Sequence, residues 1–391
     1  MLAIENGDVF IVDTFIQDGV VLIEGGIVQA AGPRKEVEIP GGTSHLDARG
    51  GTIVPGFIDM HTNGALGYEL ANAELADLEK ITGYLPQQGV TAFVPTIVSA
   101  AIEDILQGLE LARQAMSGPR LSGAEILGVH IEGPYINREM RGAHNNDIIR
   151  NPDPDEYGAI LEYPDVILWV TLAPELPGAL ELIRVLREND ILVSAGHTMA
   201  LEQDIEMAVE AGLSNATHLY GNMTTLQREN ITRVAGLVEY TLLDDRLTTQ
   251  IIADGYTFSP NLMKLAYKIK GADKLAIITD NSPLAGLPPG VYNLWGVDVV
   301  VEEEISYLPD RSAYAGCITT MDRCLRNAIH LMDVPLGDAL RMVSTTPASI
   351  LGVADRKGSL EPGKDADVTV LNSELEVIHT ITSGQLAFST G

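Results

Sequence analysis

Four of the eight histidines in this 391-residue chain close short apolar runs: His61 after Ile-Asp-Met, His130 after Gly-Val, His197 after Ser-Ala-Gly and His218 after Asn-Ala-Thr. Glu132 follows His130 by two residues, Asp254 closes Ile-Ile-Ala, and Asp280 closes Ile-Ile-Thr. Imidazole nitrogen and carboxylate oxygen are the ligand set of a catalytic divalent ion that keeps one position open for water. Such an ion brings the pKa of its water to ~7, and a neighbouring carboxylate can take the proton and return it to a leaving group. In that chemistry Glu132, His197 and His218 supply three ligands and Asp280 relays the proton. Any one of them alone reads as a satisfied core group; the four together, each ending a separate run, read as one centre. His61 is open between three roles: a ligand of this ion, a ligand of a second ion, or a hydrogen-bonding neighbour. Its i+2 residue is Asn63, a weak ligand, where a second imidazole would signal metal strongly. His130 shares a strand face with Glu132 and is expected to orient that carboxylate rather than to ligate. His45, His330 and His379 have no such context.

These residues need elements that end at a common place. Runs with the length of strands lie at TIVPGFIDM (52–60), VTAFVPT (90–96), EILGVHIEG (125–133), DVILWVTLAPE (165–175), DILVSAGH (190–197), LSNATHLY (213–220), TTQIIADG (248–255) and KLAIITD (274–280). Helical patterns separate several of them. In AIEDILQGLELARQAM, for example, Ile102, Ile105, Leu106, Leu109 and Ala112 fall on one face. Alternating strands and helices predict a parallel sheet. Eight strands over a span near the ~250 residues usual for the fold predict an α/β protein built on a (β/α)8 TIM barrel, whose chemistry sits at the strands' C-terminal ends. A doubly wound open sheet would want a glycine-rich phosphate loop after the first strand, where this chain has His61-Thr62-Asn63-Gly64. Both chain ends instead alternate Val, Ile and Phe with polar residues and are punctuated by glycine. They predict a small β-sandwich domain formed by residues 1–53 and 355–391 around a barrel of 54–354; two separate β-caps are the competing arrangement.

The segments PGFIDMHTNG (55–64), GVHIEGPYINREMRGAHN (128–145), SAGHTMA (194–200), NATHLYGNM (215–223), ADGYTFSP (253–260), ITDN (278–281), YAGCITTMDRCLRNA (314–328) and TTPASILGVADRKGSLEPGKDADVTVLN (345–372) together resemble the N-acetylglucosamine-6-phosphate deacetylase family of the amidohydrolase superfamily. The Glu-Gly-Pro…Gly-Ala-His stretch is particular to that branch, whereas the 358–372 stretch is common to amidohydrolases. The resemblance implies a barrel with a small β-sandwich from both termini. It also implies hydrolysis of the acetamide of an amino-sugar phosphate to acetate and free amine. Glu132, His197 and His218 match the family's metal ligands and Asp280 its acid/base. Ala143 and His144 match positions that contact substrate, and Ala315 and Gly316 match a loop beside the sugar. One ion, Zn2+ or Fe2+, is expected rather than two, given Asn63.

The chain also departs from the family. Gly221-Asn222-Met223 stands where Asn-Ala-Met is usual, and Asp254-Gly255-Tyr256-Thr257 where Asp-Gly-x-His is usual. In the family that histidine and a downstream arginine hold the phosphate, the arginine arriving from the neighbouring subunit. Arg228 matches the arginine across a one-residue gap, with Arg233 as the fallback, and the shared site implies a homodimer. Gly221, Asn222, Tyr256, Thr257 and Arg228 are therefore taken as substrate-side positions. N-acetylglucosamine 6-phosphate is the leading substrate, with a non-phosphorylated or different N-acyl substrate, or a non-catalytic barrel module, as alternatives. A carboxylated lysine after strand four would mark a cyclic amidohydrolase; Thr171-Leu172-Ala173-Pro174-Glu175 has none.

Composition narrows the partners. Twenty-five basic against 54 acidic residues give a net charge of −29, a field that repels nucleic acid and anionic membrane. The hydrophobic fraction of 46% excludes a disordered chain. The start, MLAIENGDVFIVD, has no basic leader and no apolar run reaches a membrane span. Together with two cysteines, Cys317 and Cys324, expected to stay reduced, this predicts a cytoplasmic enzyme of a small-molecule substrate. Glu302-Glu303-Glu304 reads as a solvated acidic turn. Trp169 reads as core, and Trp295 as the one tryptophan placed to stack on a substrate.

Overall fold

The computed structural model describes residues 1–391. Eight parallel strands follow one another in chain order: strand one Phe57–Thr62, two Val90–Val98, three Val129–Glu132, four Ile167–Leu172, five Leu192–Ala195, six Asn215–Ala216, seven Thr248–Ile252 and eight Leu275–Ile278. Each pairs with the next in parallel register. The ring closes at its C-terminal rim, where Thr62 bridges Asn281, the Asp280 amide donates to the His61 carbonyl at 3.0 Å and the Asn63 amide to the Asn281 carbonyl at 2.7 Å. Below that rim Asp59 of strand one accepts from the Thr279 hydroxyl at 2.5 Å. Burial pushes the Asp59 carboxyl up to about 6, against the opposing pull of its Thr279 and His61 bonds.

The helices bury one face against this ring. Helix Ile102–Ser117 buries Ile105, Gly108, Leu109, Ala112 and Ala115. Gly108 lets Ile97 of strand two approach, since a Cβ there would meet it at 2.8 Å, and Leu106, expected on the core face, is only half-buried. No helix is long and apolar enough to cross a membrane.

The chain ends form one eight-stranded, mostly antiparallel sheet, in which Val368–Leu371 from the C-terminal end pairs with Thr52–Pro55 from the N-terminal end. It has its own apolar core, including Ile4, Val21, Ile53, Val368 and Ile381. The two ends are therefore one unit and not two caps. The run 52–60, expected as one strand, is two: Thr52–Pro55 serves the terminal sheet and Phe57–Thr62 the barrel, with Gly56 between them. Gly56 has no room for a side chain, because a Cβ would lie 2.2 Å from the Thr91 hydroxyl.

Candidate metal centre and active site

Glu132, the last residue of strand three, points its carboxylate into the barrel mouth. Its Oε1 lies 3.1 Å from His197 Nε2 and 3.1 Å from His218 Nε2, and those two nitrogens are 3.1 Å apart. Its Oε2 faces His61 Nε2 at 3.5 Å and His144 Nε2 at 3.8 Å. All five side chains are at least 95% buried. The donor atoms of Glu132, His144 and His197 also fall within 4.8 Å of one another. Three buried lone-pair atoms in mutual contact require a proton or a cation between them. The edge of a tetrahedron of nitrogen and oxygen ligands around Zn2+ is roughly 3.3 Å, so the triangle at Glu132, His197 and His218 has the dimensions of a metal site.

Backbone geometry converges these groups. His197, His218 and Asp280 stand immediately beyond their strands at φ of 48°, 28° and 50°, a left-handed conformation that Asp and His tolerate better than most residues. The chain turns there, carrying each side chain off the wall and over the mouth. His197 Nδ1 donates to the Met140 carbonyl at 2.8 Å, which fixes the tautomer and leaves Nε2 as the lone pair facing Glu132. Gly221 permits the turn after His218, since a Cβ would lie 2.9 Å from His218 Nδ1.

Burial opposes charge on these rings, yet Asp280 and Glu132 together hold His61 protonated up to about 9, and Glu132 also draws His218 upward. Burial and the neighbouring His197 push His144 down to about 3, so it is neutral. Burial also opposes charge on Glu132, but the surrounding histidines hold its carboxylate well below the usual range.

Asp280 is the opening member, with a side chain 20% exposed. Its Oδ1 accepts from Asn63 Nδ2 at 2.9 Å and lies 3.2 Å from His61 Nε2. Asn63, read from sequence only as a weak ligand, is thus an anchor of the carboxylate. Ser99 and Gln250, which carry no sequence signal of a site role, also reach the centre. Ser99 Oγ is 2.7 Å from His144 Nδ1, and Gln250 Oε1 is 3.4 Å from His61 Nδ1.

His130 does not orient the Glu132 carboxylate, contrary to expectation. Its ring nitrogens bond the hydroxyls of Thr96 at 3.0 Å and Thr171 at 2.8 Å, and its ring stacks on Trp169 with centroids 3.4 Å apart. The i, i+2 spacing puts His130 and Glu132 on one face but one layer apart, and the lower layer is a hydroxyl network. Thr171 continues it to Thr217 at 2.8 Å and Thr217 to Ser194 at 2.6 Å. Glu175, beyond strand four, accepts from Asn137, Thr198 and the Met199 amide, tying the loop after strand five.

The remaining substrate-side residues lie around the rim. Ala143 is exposed next to buried His144. Exposed Asn222 packs its amide against Gly142, where a Cβ would lie 2.6 Å from Nδ2, so the loops after strands three and six meet. Thr257 donates both its amide (2.9 Å) and its hydroxyl (2.7 Å) to Asp254 and presents no cation. The Tyr256 hydroxyl donates to Glu304 at 2.8 Å. Ala315 is half-buried and Gly316 exposed, beside Ser282 of the strand-eight loop. Arg228 stands apart, in an exposed hairpin of Gln227–Glu229 and Thr232–Val234, directly opposite Arg233. The acidic turn is not merely solvated: Glu304 pairs with Arg323 at 2.6 Å and Glu302 with Arg311 at 3.0 Å.

The amidohydrolase family model matches residues 52–387. An N-acetylglucosamine-6-phosphate deacetylase of Bacillus subtilis is 36% identical over 86% of this chain and 84% of its own. An N-acetylgalactosamine-6-phosphate deacetylase of Escherichia coli O157:H7 is 32% identical over 95% and 96%. The crystal structure of N-acetylglucosamine-6-phosphate deacetylase from Pasteurella multocida superposes with a TM-score of 0.91 at 29% identity, covering 98% of this chain and 99% of that one.

Proposed function

The chain belongs to the amidohydrolase family, among the N-acetylglucosamine-6-phosphate deacetylases, and from that premise we infer that it is a metal-dependent deacetylase that hydrolyses N-acetylglucosamine 6-phosphate to acetate and the free amino sugar phosphate. The observation that carries this reading is the buried triangle of Glu132, His197 and His218 beside the partly exposed carboxylate of Asp280.

In this reading Glu132, His197 and His218 hold one divalent ion, Zn2+ or Fe2+, which when bound supplies an acidified water and a positive charge for the acetamide oxygen. His61 supports the centre from the Glu132 Oε2 side and shares Asp280 Oδ1 with Asn63. Both contacts fall on Oδ1, so Asp280 Oδ2 is the atom that takes a proton as water attacks and returns it to the departing amine. Neutral His144, backed by Ser99, faces the acetamide oxygen. Ala143, Gly221, Asn222, Tyr256, Thr257, Ala315 and Gly316 surround the sugar. Arg228 and Arg233 bind its phosphate from the partner subunit of a homodimer, because their hairpin stands exposed and Thr257 brings no charge. The enzyme works in the cytoplasm, where its two free thiols persist.

Acetate release from N-acetylglucosamine 6-phosphate, its galactosamine epimer and the unphosphorylated sugar tests the reading. Relatives named for either epimer make the first two the informative pair. Turnover of the unphosphorylated sugar equal to that of the phosphate would remove the phosphate from the assignment.

A further inference from the structure

The loop after strand eight carries a three-stranded antiparallel tongue, Gly290–Leu294, Val297–Val301 and Ser306–Tyr307. Leu294, Val299 and Val301 pack with Leu284 in a small apolar cluster that fixes the tongue's body. Leu294 pairs with Val297, so the first turn is the two-residue loop Trp295-Gly296, with φ of 50° and 87°. Both positions of such a turn are left-handed and favour Asn, Asp and Gly. A tryptophan there is strained and persists only where its surroundings hold it. The indole N–H donates to Glu69 Oε2 at 2.7 Å, although the ring remains 42% exposed.

Beneath that contact lies a cavity of about 290 Å3 between the loops following strands one, two and three, with His144 on its wall. Its lining is mixed: Ile97, Ala100, Ala143 and Ile148 supply apolar surface, and Asn72, Thr96, Ser99 and Asn145 uncharged polar groups. Besides His144, its ionisable side chains are Glu69 and Asp104; no lysine or arginine reaches it. A phosphate is therefore repelled, and an uncharged group is admitted. Of the residues assigned to the sugar, Gly221, Asn222, Tyr256, Thr257, Ala315 and Gly316 lie on the loops after strands six, seven and eight and do not line this cavity, whereas Ala143 borders both.

We propose that Trp295, latched to Glu69, is a specificity-determining residue that closes a pocket without cations for the acyl side of the scissile amide. The proposal rests on the deacetylase reading. The pocket far exceeds the ~30 Å3 of one water, so it takes acyl chains longer than acetyl provided they are neutral.

The test compares N-acetyl, N-butyryl and N-succinyl glucosamine 6-phosphate. The wild-type enzyme should turn over the butyryl amide within about tenfold of the acetyl amide and reject the anionic succinyl amide. Trp295→Asn, which suits the turn, should melt no lower than wild type yet raise KM about tenfold with little change in kcat. Glu69→Leu should do the same, while Glu69→Gln, which still accepts the indole N–H, keeps the wild-type KM. Acrylamide quenching supplies a readout independent of turnover, because Trp169 is fully buried and only Trp295 is accessible. In Asp280→Asn protein, N-acetylglucosamine 6-phosphate should protect Trp295. Protection without acetate release by the wild-type enzyme would sink the reaction and keep the pocket. Acetate release with no protection, and with Trp295→Asn kinetics unchanged, would overturn the pocket alone.

Discussion

Asn63 and Asp280, 217 residues apart in the chain, meet at 2.9 Å across the seam where strand eight closes on strand one. The Asn63 backbone amide also donates to the Asn281 carbonyl at 2.7 Å, so the seam that closes the barrel is the same structure that aims the carboxylate. With Asp280 read as the proposed acid/base, fold closure and proton transfer become one geometric problem, solved by a residue that carries no charge.

Asn63→Leu keeps the volume and removes the donor. Asp280 then keeps only His61 on Oδ1 and gains rotamer freedom. Steady-state kinetics should show kcat down about tenfold with KM within about twofold, because the lost contact acts on proton transfer rather than on binding. Equal losses in kcat for Asn63→Leu and for Thr279→Val, a seam variant that leaves both contacts of Asp280 Oδ1 in place, would show that only barrel closure matters.

Metal content follows from the triangle at Glu132. Purified enzyme should carry about one divalent ion per chain, and chelation should abolish turnover until Zn2+ or Fe2+ is restored. Glu132→Gln retains shape and loses the anionic ligand, so elemental analysis should find the ion largely gone. Two ions per chain in the wild type would assign His61 a ligand role instead of a supporting one.

The centre was legible in the sequence because strand-end residues are fixed by topology: once eight strands are counted, the ends of strands three, five, six and eight must share a rim, and Glu132, His197, His218 and Asp280 stand there. What escaped depends on which way a side chain turns after the strand. Asn63 could be seen only as a poor ligand, since its bond to Asp280 crosses the closing seam. His130 has the right face but lies one layer too low, and spacing alone does not give height. The break at Gly56 was hidden because Thr52–Pro55 and Phe57–Thr62 are equally apolar, although they belong to different sheets. Glu302 and Glu304 looked solvated because Arg311 and Arg323, which pair with them, lie beyond local spacing rules.

Acid stability should report the junction between the barrel and the terminal sheet. Glu125, beside strand two, bonds Arg356 at 2.6 Å and Lys357 at 2.8 Å, and buried Lys357 also reaches Asp365 and Asp367. Burial opposes the Glu125 charge, but Arg356 and Lys357 win and hold it down at about 2, against an ordinary 4.5. A depressed carboxyl stabilises fully above its unfolded value and ceases to do so as pH falls through its folded value. The window is thus pH 4.5 down to 2. Urea unfolding at pH 7 should place Glu125→Gln about 2–3 kcal/mol below wild type, with the gap closing through that window. Burial pushes Asp367 upward, which works in the opposite sense, and the Glu125 charge adds to that rise, so the difference between the two proteins reports Glu125 together with its effect on Asp367. A gap independent of pH would attribute the loss to packing.

The hairpin arginines give the sharpest test of the substrate. Arg228 and Arg233 are directly opposed on neighbouring strands, an arrangement that costs energy unless an anion joins them. Arg228 otherwise finds only the Asn230 carbonyl, at 3.0 Å. In a chain of net charge −29, two adjacent unpaired cations suit the phosphate of the proposed substrate. Arg228→Met or Arg233→Met should each raise KM for the 6-phosphate about 10-fold to 100-fold and leave kcat for the unphosphorylated sugar unchanged. Whether the hairpin serves its own site or its partner's is settled by mixing. The double Arg→Met enzyme keeps Asp280, and Asp280→Asn enzyme keeps both arginines. If the arginines act across the dimer, a hybrid holds one complete site, and an equal mixture after subunit exchange should recover roughly a quarter of wild-type activity. If they act within one chain, the mixture, assayed with the 6-phosphate well below the KM of the arginine variant, stays at the low rate of its parents.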